Sequence, residues 1–326
     1  MKICVFGAGA IGGYLAIHLA QVDGVEVSVV ARGEHLAAIQ RDGLRLESPR
    51  GTLHARVRAT GEPGDLGVQD VVIIALKSHQ MTPALDGIRS LLGPQTCVVP
   101  PTTGIPFWYF HGLPGPFLNH QIERLDPQGL QWQALAPERV LGCVYWVAAE
   151  VTAPGVIHHD GSLSCFPIGE PDGSTSERLT RLAGALTSAG LDAPVVPDIR
   201  AWIWAKMISS LCWNPVATLT LATLSEMNAR PEIVTIVRRM MAEADALAQR
   251  LGVEKTPITI DQRITAARNA GHHKMSMLQD LERGRPLEVD VLVDSIEAMR
   301  ELAQSPTPTI DSVYALLRLR AASLTT

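Results

Sequence analysis

Lys206 is the only formal charge between Arg200 and Glu226. The stretch around it, IWAKMISSLCWNP, together with Trp202, is rich enough in large apolar side chains to demand burial. An ammonium group carried into such surroundings must reach water along its own stem, meet a carboxylate, or give up its proton. Two readings follow. In one, the stem packs and the charge escapes to the surface. In the other, Lys206 is a general acid. Reduction of a ketone by hydride leaves negative charge on oxygen, and a nearby ammonium stabilises that charge and donates the proton, an effect of roughly 10²–10⁴-fold. Carboxylates able to hold such a lysine lie in SMLQDLERGRPLEVDV: Asp280, Glu288 and Asp290. Glu288 closely follows Pro286 at an expected helix start, where a carboxylate is favoured by the helix dipole in any case.

A second set of residues points to a nucleotide. Gly7, Gly9 and Gly12 have GxGxxG spacing, with an apolar strand before them and a helical pattern after them. The first glycine permits the tight turn and the second lets a pyrophosphate approach the backbone. The third lets the helix pack closely on the sheet. The helix N-terminus, at Ala10 and Ile11, then faces the phosphates. The bland alternative is a glycine-rich turn with no ligand. The second strand ends in VVAR, so Arg32 stands near where NAD enzymes place an acidic residue for the ribose hydroxyls. A guanidinium there suits a 2′-phosphate through paired hydrogen bonds. One charge-assisted bond of about 1.5–3 kcal/mol favours NADP over NAD by one to two decades. Glu34 is close enough in sequence to compete for Arg32. Lys77 follows the apolar strand DVVIIA, at the end of a sheet where ligands bind, and an ordinary surface lysine would sit there equally well.

The elements that must position these residues alternate in the first half of the chain. Apolar runs at KICVFG, VEVSVVAR, DVVIIALK and TCVVPP are separated by helical patterns, which argues for a parallel sheet with helices on both faces. GLRLES and TLHARVRA read as a hairpin turned at Pro49–Gly51, and RVLGCVYWVAAEV as a further strand. The Pro-, Gly- and aromatic-rich segment over 101–137 reads as loops and short helices, in which the rings Phe107 to Phe110 either wall a pocket or pack the loop onto the sheet. From about Asp198 the pattern becomes helical. Ile233, Val237, Met240, Met241, Ala244, Leu247 and Leu251 form one stripe, with Pro231 suited to a first turn. The fold class is therefore α/β followed by all-α. An N-terminal doubly wound Rossmann domain over 1–195 is expected to bind NADP, and a helical substrate and catalytic domain to cover 196–326.

Composition narrows the function. The 326 residues carry a net charge of −5 with no basic cluster, so neither nucleic acid nor a membrane surface is expected as a partner. The long uncharged run over 207–225 contains too many Ser, Thr, Asn and Pro positions for a membrane span. The five cysteines are widely spaced with no CxxC pair, which fits a reducing cytoplasm. His158–His159 and His272–His273 are adjacent pairs whose side chains diverge, so no metal site is expected.

These stretches together resemble the ketopantoate reductase (2-dehydropantoate 2-reductase) family of pantothenate biosynthesis, over nearly the whole chain. The resemblance rests on GAGAIGG with the later AR, on ALKSHQ, on WAKMISSLCWNP, and on SMLQDLERGRPLEVD. It implies an NADPH-dependent reduction of a 2-keto acid by a Rossmann domain. A helical domain like that of 6-phosphogluconate dehydrogenase follows, with the active site between the two. Lys206 matches the catalytic lysine, and Glu288 the acidic residue near the cofactor and that lysine. Ser276 and Asn214 match substrate contacts, and Arg32 and Lys77 cofactor contacts. Two positions depart from the family pattern: Thr103 and Ser210 stand where the family has asparagines that touch substrate. Each replaces an amide with a shorter hydroxyl. The resemblance therefore implies the reaction type more firmly than the substrate. A paralogue reducing another ketone or an imine, and a non-catalytic NADPH-binding sensor, are the competing readings. The sequence leaves open whether the chain forms a homodimer.

Overall fold

A computed structural model describes every residue except Leu163, Pro286, Glu288 and 324–326. The chain divides into two units: Met1–Thr102 with Pro106–Ile199, and Thr103–Ile105 with Arg200–Thr326.

The first unit begins β1 (Lys2–Phe6), α1 (Ala10–Leu19), β2 (Glu26–Val30), α2 (Gly33–Asp42), β3 (Leu44–Ser48), β4 (Gly51–Ala55), β5 (Arg58–Thr60), β6 (Val71–Ile74), α3 (Met81–Arg89) and β7 (Cys97–Val99). It continues α4 (Leu130–Leu135), β8 (Gly142–Cys143), β9 (Ala149–Ala153), β10 (Val156–His159), β11 (Ile168–Gly169) and α5 (Glu177–Ser188). The main sheet is parallel, in the order β5-β2-β1-β6-β7. Its central strands are apolar on both faces because both faces are covered. The strand order reverses between β1 and β6, the place where doubly wound sheets open a ligand crevice at their carboxyl ends.

A second sheet has the order β4-β3-β10-β9. The expected hairpin is its β3–β4 pair. β10, from much later in the chain, joins β3 in parallel, with Ile157 opposite Leu46. α1 is in contact with strands of both sheets. That explains why almost the whole of AIGGYLAIHL is buried rather than one stripe of it. The expected strand over RVLGCVYWVAAEV is only partly formed: β8 and β9 are strands, and the chain between them is not. Phe107, Trp108, Tyr109 and Phe110 are all buried, with Tyr109 and Phe110 edge to face at 4.9 Å, so these rings pack the unit.

The second unit contains α6 (Ile199–Thr220), α7 (Leu224–Asn228), α8 (Pro231–Arg250), α9 (Ile260–Asn269), α10 (Ser276–Glu282), α11 (Val289–Ala303) and α12 (Pro308–Ala322). α8 buries the stripe Val237, Met240, Met241, Ala244 and Leu247, with Pro231 in its first turn. α6 contains Pro215. Proline has no N–H, so the carbonyl of Leu211 lacks its helical donor. The buried Tyr314 hydroxyl of α12 donates to that carbonyl at 3.1 Å.

Candidate active site

The glycine loop between β1 and α1 lies at the strand-order reversal. Gly7 has φ +102°, and a Cβ there would come within 2.9 Å of the Ala75 carbonyl oxygen in the segment after β6. A Cβ on Gly12 would overlap the Gly7 carbonyl oxygen, so only glycine lets α1 start this close to the loop. Gly9 differs: its φ of −66° suits any residue, and a Cβ there would meet no protein atom within 4 Å. The space above Gly9 is what a phosphate needs. α1 also has no side-chain cap and no acidic residue in its first turn, which leaves its N–H groups for an anion. These features fit the pyrophosphate of a dinucleotide.

Arg32 is the N-cap residue of α2 and is exposed. Among the described residues it forms no ion pair with Glu34 or any other carboxylate. Lys77 lies three residues beyond β6, the strand that neighbours β1, and is half-buried.

In the second unit, Lys206, Ser210 and Asn214 occupy successive turns of α6, on one face by their spacing of four. Lys206 and Ser210 are half-buried. Asn214 is 3% exposed, and its amide is engaged on both sides. Its Oδ1 accepts from the Met277 N–H at 3.1 Å and from the Ser276 hydroxyl at 3.4 Å, while Nδ2 donates to the Ser210 carbonyl at 3.1 Å. Two residues assigned to the substrate from sequence, Asn214 and Ser276, are therefore joined, and Ser276 is the exposed one. Among the described residues the hydroxyls of Ser210 and Thr103 have no hydrogen-bond partner. Glu288 lies outside the described residues. Among the described residues, no group of three His, Cys, Asp or Glu side chains is arranged to hold a metal ion.

The family model for ketopantoate reductase PanE/ApbA matches residues 3–105, and that for the ketopantoate reductase PanE/ApbA C terminal matches residues 198–321. A 2-dehydropantoate 2-reductase of Mesorhizobium japonicum is 50% identical over 319 residues, covering 98% of this chain and 97% of the relative. The chain belongs to the ketopantoate reductase family. It is an oxidoreductase acting on a CH–OH group, in a family that binds a nicotinamide cofactor. A crystal structure of a provisionally named ketopantoate reductase from Ralstonia solanacearum MolK2 superposes with a TM-score of 0.90 at 39% identity, covering 99% of this chain and 98% of that one. The fold is shared more widely. D-mandelate dehydrogenase, solved with NADH and anilino(oxo)acetate, superposes at 0.81 with 21% identity over the full length of both chains. Among the described residues, no helix is long and apolar enough to cross a membrane.

Three residues that support the family's helical half gave no signal in the sequence. Arg263 of α9 is 3% exposed. Its Nη1 donates to the Ala205 carbonyl, immediately before Lys206, and to the Ser209 hydroxyl at 3.2 Å, and Nη2 donates to the Thr256 hydroxyl at 3.2 Å. Burial pushes its pKa below the ordinary value, opposed by the charge of Asp245. Ser295 of α11 accepts from the Ile105 N–H at 2.9 Å and donates to the Val291 carbonyl at 2.7 Å. Gly104, at φ +75°, passes so close that a Cβ would overlap the Ser295 hydroxyl. The short segment bearing Thr103 is thus fixed to α11. Tyr314 is the third, through the Leu211 carbonyl that Pro215 leaves without a helical donor. Local periodicity registers an apolar stripe, but not a polar side chain whose partner lies on a distant helix.

Proposed function

We propose that this chain reduces a 2-keto acid to the 2-hydroxy acid with NADPH, and that Lys206 is the general acid. The observation that carries the proposal is the α6 stripe. It has one ammonium, the only formal charge of the helix beyond Arg200 in its first turn. One turn on, at Ser210, follows a hydroxyl with no partner among the described residues, and then an amide at Asn214 fixed by the start of α10. The nicotinamide, when bound, supplies the hydride. Lys206 donates a proton to the carbonyl oxygen as negative charge develops there, which balances the reduction. The exposed Ser276 hydroxyl, held against Asn214, suits the carboxylate of the substrate. Glu288 is proposed from the family pattern as the carboxylate that serves Lys206 and the cofactor.

The cofactor is assigned to the first unit through Gly7, Gly9, Ala10, Ile11, Gly12, Arg32 and Lys77, and substrate and acid to the second. The absence, among the described residues, of a carboxylate paired with the exposed Arg32 supports NADPH, because the N–H donors of the guanidinium are left for a 2′-phosphate. Ketopantoate is the first substrate to test, since the Mesorhizobium relative carries the 2-dehydropantoate 2-reductase name. Thr103 and Ser210 present hydroxyls where the family pattern has amides, which favours a second reading in which another 2-keto acid is preferred.

NADPH oxidation measured against a panel of 2-keto acids that includes ketopantoate separates these readings. Lys206→Ala is expected to lower turnover by about 10²–10⁴-fold while the Kd for NADPH stays unchanged. Turnover equal to wild type would remove Lys206 from the chemistry. NADPH binding without turnover of any panel member would make the chain a sensor rather than a reductase.

A further inference from the structure

The imidazole of His35 has both ring nitrogens engaged within the first unit. Nε2 lies 2.7 Å from the carbonyl oxygen of Ala8, and Nδ1 lies 3.0 Å from the backbone nitrogen of Gly155. A carbonyl only accepts and a backbone N–H only donates. The partners therefore assign one form of the ring, neutral, with its proton on Nε2 and a lone pair on Nδ1. Ala8 is the residue between Gly7 and Gly9, in the middle of the glycine loop. His35 itself lies in the first turn of α2, three residues after Arg32. Gly155 forms the turn between β9 and β10, at φ +77°. A single ring thus ties the loop that would cradle a pyrophosphate to the helix that Arg32 caps, and braces both against the second sheet.

We infer that His35 is a positioning residue for the cofactor. Both of its ring nitrogens are taken up by backbone groups, so it acts through the loop and helix rather than by a hydrogen bond to the nucleotide. Its two hydrogen bonds hold the glycine loop and the α2 N-terminus at a fixed spacing, so that both meet the same dinucleotide without having to be ordered on binding. The Arg32 part of this inference rests on the NADPH reading above. The glycine-loop part holds for either nicotinamide cofactor.

The neutral imidazole offers one donor and one acceptor, and this predicts which replacements work. Leucine offers neither and lysine only donors, whereas the primary amide of glutamine offers both. The Kd values for NADPH and NADH are measured by reduced-nicotinamide fluorescence on the full chain without a keto acid, and kcat is measured at saturating NADPH. His35→Leu is expected to weaken NADPH binding about tenfold, with kcat at saturation within about twofold of wild type. His35→Gln should return the Kd to within about threefold of wild type, and His35→Lys should not. A His35→Leu protein that binds both cofactors as wild type does, or a His35→Gln protein as weak as His35→Leu, overturns the inference. If His35→Leu does not fold, His35→Gln and His35→Lys decide, and equal Kd values for that pair overturn it. Wild-type protein with no preference for NADPH over NADH would defeat the Arg32 reading alone, leaving the effect of His35 on both cofactors to be read separately.

Discussion

Tyr314→Phe removes one hydroxyl from α12 and leaves the ring in place. In the structure that hydroxyl is the donor to the Leu211 carbonyl, which Pro215 deprives of its helical partner. Tyr314 is 3% exposed, so water cannot readily replace the lost donor. Burial holds the Tyr314 pKa well above its ordinary value, so the hydroxyl keeps its proton throughout the working range. A buried carbonyl stripped of its partner costs about 1–3 kcal/mol, a factor of roughly five to two hundred in the unfolding equilibrium constant. The decisive form of the experiment is a double-mutant cycle with Pro215→Ala. That substitution restores a backbone N–H to the Leu211 carbonyl, so the same Tyr314→Phe change should then cost much less. Urea unfolding can be followed by tryptophan fluorescence, to which Trp202, Trp204 and Trp213 contribute from α6 itself. A coupling of about 1 kcal/mol or more is expected, with m-values unchanged across the four proteins. An equal cost in the wild-type and Pro215→Ala backgrounds would refute the argument, because the hydroxyl would then be stabilising the fold through something other than the orphaned carbonyl.

Arg32→Asp should raise the Kd for NADPH by about one to two decades and spare NADH, and equal losses for both cofactors would remove the 2′-phosphate contact. Gly9→Ala should leave thermal stability near wild type, because its new methyl meets no protein atom within 4 Å, and should weaken the binding of either cofactor if that space holds the phosphate as proposed. Gly12→Ala should fail on stability first, since its methyl overlaps the Gly7 carbonyl. Similar melting temperatures for the two variants would contradict this. Burial lowers the pKa of His18 below the usual 6.5, with the Ala189 carbonyl opposing and His159 adding to the shift, and burial lowers that of His159 as well. The unfolded imidazoles therefore take up protons that the folded ones resist. This stability is fully present above about pH 6.5 and is lost as pH falls below it. Melting temperature measured from about pH 8 down to 5 should show that fall, and His18→Gln should flatten it.

Within the sequence, the information that survived was local. Gly12 is constrained by the Gly7 carbonyl inside one strand–turn–helix, and GxGxxG spacing encodes that contact directly, whereas the carbonyl that excludes a Cβ at Gly7 belongs to Ala75, from the segment after β6. Lys206 stood out because an ammonium in a long uncharged run has few electrostatically acceptable fates. The stripe on α8 and the β3–β4 hairpin follow from periods of 3.6 and 2 that a few residues suffice to show. What the fold alone decided are the joints between elements far apart in the chain. Ser295 meets Ile105 across 190 positions, Met277 meets Asn214 across 63, Arg263 meets Ala205 across 58, and Gly155 meets His35 across 120. The assignment of residues 103–105 to the helical unit belongs with them, as does the parallel pairing of β10 with β3. Composition and periodicity say which face of an element is buried. A hydrogen bond between distant elements depends on the axial and rotational placement of both, and that placement is set only when the whole core packs.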